Sequence, residues 1–486
     1  MRPRNRVIAG LSTLFLCGFP LGCANYDSLR PLSNPRPVRQ ARLPNNSCEP
    51  KTDQPIILMS FQAPSDSTVN IEKDDLSPFK NQTELSVETL IGQVLARNPS
   101  LAQMAAAQEA AAARYPQVTG LEDPMFAGTI GPGTIAPDDR GVEFASRLEI
   151  SQKLPFPGKL QLRGENALAE ASAAGRDVDD MRLQLVESAR NAFYDYYLAD
   201  RALAVNEESL ELLRRLRKNA ESRFANNLAP EQDKLQADVE IGKEQDRRLE
   251  LEQMRQVAVA RINTLMHRPP DSLLPAPPKE LHVGEKLPDA QLLRAKALTL
   301  RPDLQALADH ITAEEASLAL AYKDFYPDFE PFFMYDRFMG NMTDNRDLAT
   351  MLGVRMNLPV YRKRRNGAVA EAEARLAQRK AEYARLTGQI NLQVQEAFAR
   401  VQKSDRSLRL YQDTILPAAE KNVKAAEAAY TNTKIPFLSL VEAERNSITL
   451  RDRYYEVLAD YGRRRASLER AVGGSLESRA LRPAAP

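Results

Sequence analysis

The 486-residue chain has no tryptophan, three histidines, three cysteines and a sparse 21 glycines. His267, His282 and His310 stand alone, without the close ligand spacing that a metal centre needs. No phosphate-binding loop, dinucleotide fingerprint or nucleophile elbow occurs, so the usual routes to catalysis are missing and no cofactor is expected. A formal net charge of +1 provides no overall pull toward nucleic acid. Beyond the first residues no run of about 18 apolar residues appears, which leaves no transmembrane helix. Any membrane crossing then falls to strands.

The cysteines concern targeting rather than disulfides. Arg2, Arg4 and Arg6 precede an apolar run from Val7 to Phe19, followed by Pro20-Leu21-Gly22-Cys23-Ala24. A basic start, a short apolar run and a small residue before the cut describe a secretory signal over residues 1–22. A cysteine directly after the cut is similar to a bacterial lipoprotein signal, which would make Cys23 the acylated residue. The alternative is an ordinary signal peptide with a bystander cysteine. Residues 23–85 are rich in proline, asparagine and serine and lack periodicity, so they read as a flexible tether.

What the chain does have is a copy of itself. Arg97-Asn98-Pro99-Ser100-Leu101 returns as Leu300-Arg301-Pro302-Asp303-Leu304, an offset of 203 between the prolines (302 − 99). Asp123-Pro124-Met125-Phe126 answers Tyr326-Pro327-Asp328-Phe329 at the same offset, and Leu154-Pro155-Phe156 answers Leu358-Pro359-Val360 at 204. Ala192-Phe193 and Asp200-Arg201 return as Ala397-Phe398 and Asp405-Arg406 at 205. Phe224 to Pro230 returns as Tyr430 to Pro436 at 206. An offset that drifts one step at a time and keeps order is the mark of duplication. The organisation expected is a first repeat over 86–268, a proline-rich linker over 269–290, a second repeat over 291–474 and a tail over 475–486.

Each repeat opens with a helix of roughly 25 residues (Val87 to Tyr115; Leu292 to Tyr322) ending near a proline. Two strand-like runs, a proline turn, a very long helix, a short polar turn and a second long helix follow. Leu160 to Asn226 would reach roughly 100 Å as one helix. Leu185, Ala189, Ala192, Phe193, Tyr196, Leu203, Leu210, Leu213 and Leu216 make one apolar stripe; Leu392, Ala397, Phe398, Val401, Leu408, Ile415 and Ala425 suggest its counterpart. Such stripes suit antiparallel coiled-coil packing.

The strands are more telling. In 142–150, Val142, Phe144, Ser146, Leu148 and Ile150 alternate with Glu143, Ala145, Arg147 and Glu149. In 348–357, Leu348, Thr350, Leu352, Val354 and Met356 alternate with Ala349, Met351, Gly353, Arg355 and Asn357. Period two puts each set on one face, and at an offset of 204 the apolar faces coincide. Preceding runs, 125–130 and 329–338, complete two hairpins. Strands of this kind, apolar outside and polar inside, fit a membrane barrel, with Phe144, Leu148, Ile150, Leu352, Val354 and Met356 toward lipid. Phe126, Phe144, Phe156, Phe333, Tyr335, Phe338 and Tyr361 are candidates for an interfacial aromatic girdle. Four strands cannot close a barrel, and open edges are not tolerated in lipid, so several copies must share one wall. The alternative is a small soluble sheet capping a coiled coil. Met334, Met339, Met342, Met351 and Met356 crowd the second strand pair. Thioethers favour soft Cu(I), but lipid-facing and loop positions explain these methionines more simply.

This order of elements, carried by the duplicated motifs above, resembles the TolC-type outer-membrane efflux protein family over about residues 86–474. Leu121-Glu122-Asp123-Pro124-Met125 and Leu154-Pro155-Phe156-Pro157-Gly158-Lys159 look most like its heavy-metal-efflux branch; the second copy has Arg362 in place of Gly158. The resemblance implies a mainly α chain with a small β part. Duplicated helical hairpins would form a periplasmic tunnel, and four strands per chain would enter a trimeric, twelve-stranded transmembrane barrel in the bacterial outer membrane. It implies a homotrimer in contact with outer-membrane lipid, a periplasmic adaptor (membrane-fusion) protein and an RND-type inner-membrane pump, with no nucleic acid and no enzymatic activity. The function implied is passive exit of metal cations or drugs; a type I secretion channel, or a non-conducting periplasmic coiled-coil scaffold lipoprotein, is the alternative. The stretch Ile435-Pro436-Phe437-Leu438-Ser439-Leu440-Val441-Glu442 is similar to the family's hairpin turn, placing Ser439 and Glu442 at the periplasmic aperture. The competing reading makes Glu442 a plain solvated carboxylate like Glu444. Asn227, Leu228, Ala229 and Pro230, with Thr433, Lys434, Ile435 and Pro436, resemble the adaptor-contacting tips.

Overall fold

The computed structural model describes residues 79, 84–131, 142–281, 287–340, 347–432 and 434–476, with the side chains of 142–145, 338–340 and 347–349 outside the described set. Cys23, most of the expected tether, both hairpin loops, His282, Met342, Thr433 and the side chains of Phe144, Phe338 and Met339 therefore lie outside the described residues.

Each repeat begins with helices broken at a proline. In the first, α1 (Val87–Arg97), α2 (Pro99–Ala112) and α3 (Arg114–Thr119) stand where one helix was expected. In the second, α6 (Ala290–Leu300) and α7 (Pro302–Lys323) do the same. The cause is the residue before each proline, which steric contact with the ring drives out of the helical region. Asn98 sits at φ −72°, ψ 122° and Arg301 at φ −66°, ψ 120°. Asn98 also turns the break into a cap. Its Oδ1 accepts from the Ser100 N–H at 2.9 Å, and its Nδ2 donates to the Leu265 carbonyl at 2.9 Å.

Strands β1 (Met125–Gly131) and β2 (Val142–Ser151) precede α4 (Lys159–Ala225), a single helix of 67 residues, and α5 (Glu231–Leu265). In the second repeat β3 (Phe329–Gly340) and β4 (Asp347–Met356) precede α8 (Arg362–Leu410), α9 (Leu416–Thr431) and α10 (Phe437–Val472). Between α8 and α9 lies a π-turn, Tyr411–Ile415. A π-turn holds one residue more than the α-turn it replaces. It sits between Asp405-Arg406 and Tyr430, where the repeat offset rises from 205 to 206. The extra residue in the sequence is thus absorbed as a local bulge, and both flanks keep their phase.

The two cores match position by position. Leu90, Val94, Leu185, Ala189, Tyr196, Ile262 and Met266 are buried in one cluster. Leu293, Ala297, Ile390, Val394, Val401, Leu468 and Val472 are their counterparts in the other. The expected stripe on α8 and α9 needs correction, because Leu392 on α8 and Ala425 on α9 are exposed, and Ile390 and Val394 take the buried face of α8. Phe79 and Leu85, which the sequence puts in the tether, are buried in the first cluster, where the Leu85 N–H donates to the Ala276 carbonyl at 2.8 Å. Leu476, expected in the tail, is buried in the second. Helix α4 packs against α5, α7 and α10, while α8 lies against α7 and α10. Helix α5 carries an exposed apolar row of Leu235, Val239, Leu249 and Val257.

Proline and charge fix the junction of strand and helix. Gly158 adopts φ +87°, a left-handed conformation at the start of α4 that glycine permits without strain. The buried Lys159 amine then bridges Asp324 at 3.0 Å and Asp328 at 2.9 Å, tying the first repeat to the α7–β3 connection of the second. The Asp328 carboxylate also accepts the Phe156 N–H at 2.8 Å. Phe156 stacks on Tyr326 with centroids 4.6 Å apart.

Candidate functional site: the strand sheet and the hairpin tips

The four strands form one antiparallel meander in the order β1-β2-β3-β4, so among the described residues β1 and β4 each have an unpaired edge. Directly opposed residues share a face. Phe126, Ile150, Phe333 and Leu352 make one cross-strand row, and Pro331–Val354 and Phe329–Met356 extend that face. Among the described residues nothing covers it: Leu148, Ile150, Val354 and Met356 are exposed and Leu352 is 84% exposed. A groove lined by Ile150, Phe333, Leu352 and Val354 runs over it.

The opposite face carries charge, and Arg147, Glu149, Glu330, Asp336 and Arg355 are paired there. Arg147 meets Asp336 in two parallel hydrogen bonds of 2.7 and 2.8 Å. Arg355 bonds Glu149, lies 3.3 Å from Glu330 and stacks over the Phe332 ring at 4.4 Å. The Phe332 ring fills the space where Gly353 lacks a side chain. Met334 and Met351 oppose each other on this same charged face; period two already sets Met351 with Arg355, and Met334 is the one moved from the lipid-facing or loop placement. Alternation in β4 is also less strict than the pattern suggests. A bulge between the Met334–Met351 and Asp336–Leu348 pairs shifts the register there.

The far ends of the helices form the second site. After α4 the chain turns through Asn227 at φ +57°, with the Leu228 N–H donating to the Arg223 carbonyl at 2.8 Å. The second tip repeats this bond 206 residues later, from the Lys434 N–H to the Ala429 carbonyl at 2.9 Å. Such a six-residue closure satisfies carbonyls left open at a helix end. Leu228 is 64% exposed, Pro230, Lys434 and Pro436 are exposed, and Ala229 and Ile435 are half-buried. The tips lie side by side, because the Arg223 guanidinium sits 4.6 Å over the Tyr430 ring and donates to the Tyr430 carbonyl at 3.1 Å. Beneath them Leu216, Ala220, Ala237, Tyr430, Phe437, Leu440 and Val441 make a small core.

Of the expected aperture residues, Glu442 is exposed and Ser439 half-buried on the first turns of α10. Glu444 is not the solvated carboxylate the sequence suggested. It is buried, and desolvation, assisted by the Glu427 charge, pushes its carboxyl up to about 7. Ion pairs also join α5 to α10. Glu240 is held below the ordinary carboxylate range: burial works against it, but Arg445 at 2.5 Å and Lys243 at 3.0 Å outweigh burial. Arg247 bonds Asp452. Among the described residues no cluster of three or more His, Cys, Asp or Glu side chains could hold a metal ion. No described helix is long and apolar enough to cross a membrane.

An apolar, edge-exposed sheet above duplicated helical hairpins is the plan of a known family. A family profile described as outer membrane efflux protein matches residues 90–267 and 293–474. The chain belongs to the outer membrane efflux protein family. Solved structures share the fold. The outer-membrane channel OprN superposes with a TM-score of 0.68 at 21% identity, over 82% of this chain and 91% of that one. CusC, whose structures concern folding and transmembrane channel formation, gives 0.68 at 19% identity over 81% and 93%. The outer membrane protein VceC from Vibrio cholerae gives 0.67 at 19% identity over 80% and 97%. No curated relative matches the sequence significantly.

Proposed function

We propose that three copies of this efflux-family chain form a passive outer-membrane exit duct. The observation that carries the reading is the meander, its two edges unpaired among the described residues, greasy on one face and ion-paired through Arg147–Asp336 and Arg355–Glu149 on the other. Unpaired backbone groups are costly in hydrocarbon, so β1 of one copy joins β4 of the next until twelve strands close the wall. The apolar face, including Leu148, Ile150, Leu352, Val354 and Met356, then meets lipid, with the Phe144 position continuing it. The row of Arg147, Glu149, Asp336 and Arg355 lines the lumen. The exposed apolar row on α5 is covered by a neighbouring copy.

The helices extend into the periplasm as a tunnel. Residues 227–230 and 433–436 receive a periplasmic adaptor, which links the duct to an RND-type inner-membrane pump. Glu442, repeated by threefold symmetry, concentrates negative potential at the aperture and favours cations, with Ser439 beside it. Acylation of Cys23 anchors the chain to the membrane. The cargo is a small solute, a metal cation or a drug, and the two branch-like motifs around Pro124 and Pro157 support the metal. The duct itself supplies no energy.

Planar-bilayer recording of the detergent-purified chain, paired with its mass by light scattering, tests the reading. A trimer with ion conductance is expected, with weaker block by divalent cations in Glu442→Ala. A monomer that stays soluble without detergent and carries no current overturns it.

A further inference from the structure

At the first tip two carboxylates are answered by two cations. Arg217 bonds Asp238 at 2.6 Å and lies 3.9 Å from Glu221, while Lys234 lies 3.6 Å from Glu221. At the offset of 206 that holds beyond the π-turn, these four positions become Val423, Glu444, Glu427 and Leu440. The second repeat keeps both acids and replaces both cations with apolar side chains.

The consequence is visible in the packing. Glu444 is 5% exposed, and its Oε1 is buried with no hydrogen-bond partner. Its charged surroundings are Glu427 from α9, Arg215 from α4 and Arg451 from its own helix, the first opposing ionisation and the other two favouring it. From α5 the nearby acid, Glu240, is already engaged by Arg445 and Lys243. An ionised carboxylate in this position lacks the hydrogen bonds that offset its desolvation, whereas the neutral acid is tolerated. Helix α9 is joined to α8 only through the π-turn and Pro417, where the helical hydrogen-bond ladder is already interrupted.

We propose that Glu444 is a protonation latch: in its acid form the α9–α10 hairpin packs on α4, and ionisation releases the hairpin at the π-turn. The sign follows from the environment. Burial raises the carboxyl above its exposed value, so the packed state is favoured in acid and loses that advantage as pH climbs through about 7. At the first tip Asp238 has in Arg217 the partner that Glu444 lacks.

Amide hydrogen exchange of the full chain in detergent tests the latch and needs no conduction, so its result is separate from the duct reading. Rates for peptides covering 416–445 are corrected for intrinsic exchange at about pH 5.5, 7 and 8.5. Protection is expected to fall on the order of tenfold or more across that range, while peptides covering 185–193, buried in the other cluster of the first repeat, stay flat. Glu444→Gln should abolish the pH response, and Val423→Arg, which restores the first repeat's cation, should abolish it independently. An unchanged profile in both variants, a flat profile in the natural chain, or a response to chelation of divalent metal in place of pH overturns the proposal.

Discussion

Arg147 and Asp336 face each other across β2 and β3 and close a fork of two hydrogen bonds, 2.7 and 2.8 Å long, with the carboxylate buried and the guanidinium half exposed. Bidentate pairs of this kind hold geometry as well as energy. Removing the arginine leaves the Asp336 carboxylate without its partner, so Arg147→Ala should lower the unfolding midpoint more than loss of an exposed surface pair does. The exposed α8 pair Glu371–Arg375 is a fair control, since its loss should cost about 0.5 kcal/mol or less. Urea unfolding of both variants in detergent checks this. Equal effects would remove any special status from the sheet pair.

Neighbouring positions on β4 should respond oppositely to charge. Leu352 and Met351 are adjacent in sequence yet on different faces. In the proposed duct, Leu352→Arg would put a cation into lipid at about 2–4 kcal/mol per chain near the bilayer midplane, whereas Met351→Arg would project into the lumen. Assembly into lipid vesicles, followed by gel mobility without boiling, should fail for the first and succeed for the second. The same outcome for both variants contradicts the assignment of faces.

The π-turn invites a deletion. Taking out Gln412, an exposed residue, should convert Tyr411–Ile415 to ordinary helix while Leu408 and Tyr430 keep their packing. Pro417 would then sit inside a continuous helix at a cost of about 3 kcal/mol. The deletion alone should lower the melting temperature, and adding Pro417→Ala should recover most of the loss. No recovery means that the bulge serves something other than the extra residue and the proline.

Arg223 bridges the tips through the Tyr430 ring and carbonyl. Arg223→Ala should raise protease cleavage between 424 and 436 several-fold without altering secondary structure by circular dichroism. Cleavage at the natural rate would show that the small core beneath the tips suffices.

Much of this architecture was legible because it was written twice. Two copies of Pro99, Phe193 and Pro230 in unbroken order identify the elements, and period two in β2 exposes its greasy face without any coordinates. Other features depend on partners far along the chain. Met334 reads as one more methionine in a crowded strand until its pairing with Met351 puts it on the charged face. The buried state of Glu444 escaped notice because helical periodicity registers a carboxylate as a surface residue. The signal existed all the same: aligned across the repeats, Arg217 and Lys234 become Val423 and Leu440, so the acid has lost its company. The broken opening helices were readable too, from Pro99 and Pro302, where periodicity had outweighed the rule for residues preceding proline.

The open margins of the meander also bear on inheritance. A wall assembled from identical staves has no tolerance for one that cannot pair, and a single faulty copy spoils the work of two sound ones. If a cell made equal amounts of natural chain and a version unable to join its neighbours but still able to be joined, only about one ring in eight would be wholly sound. Lesions at β1 or β4 should therefore act dominantly, while lesions that merely prevent a chain from folding should be silent beside a healthy allele.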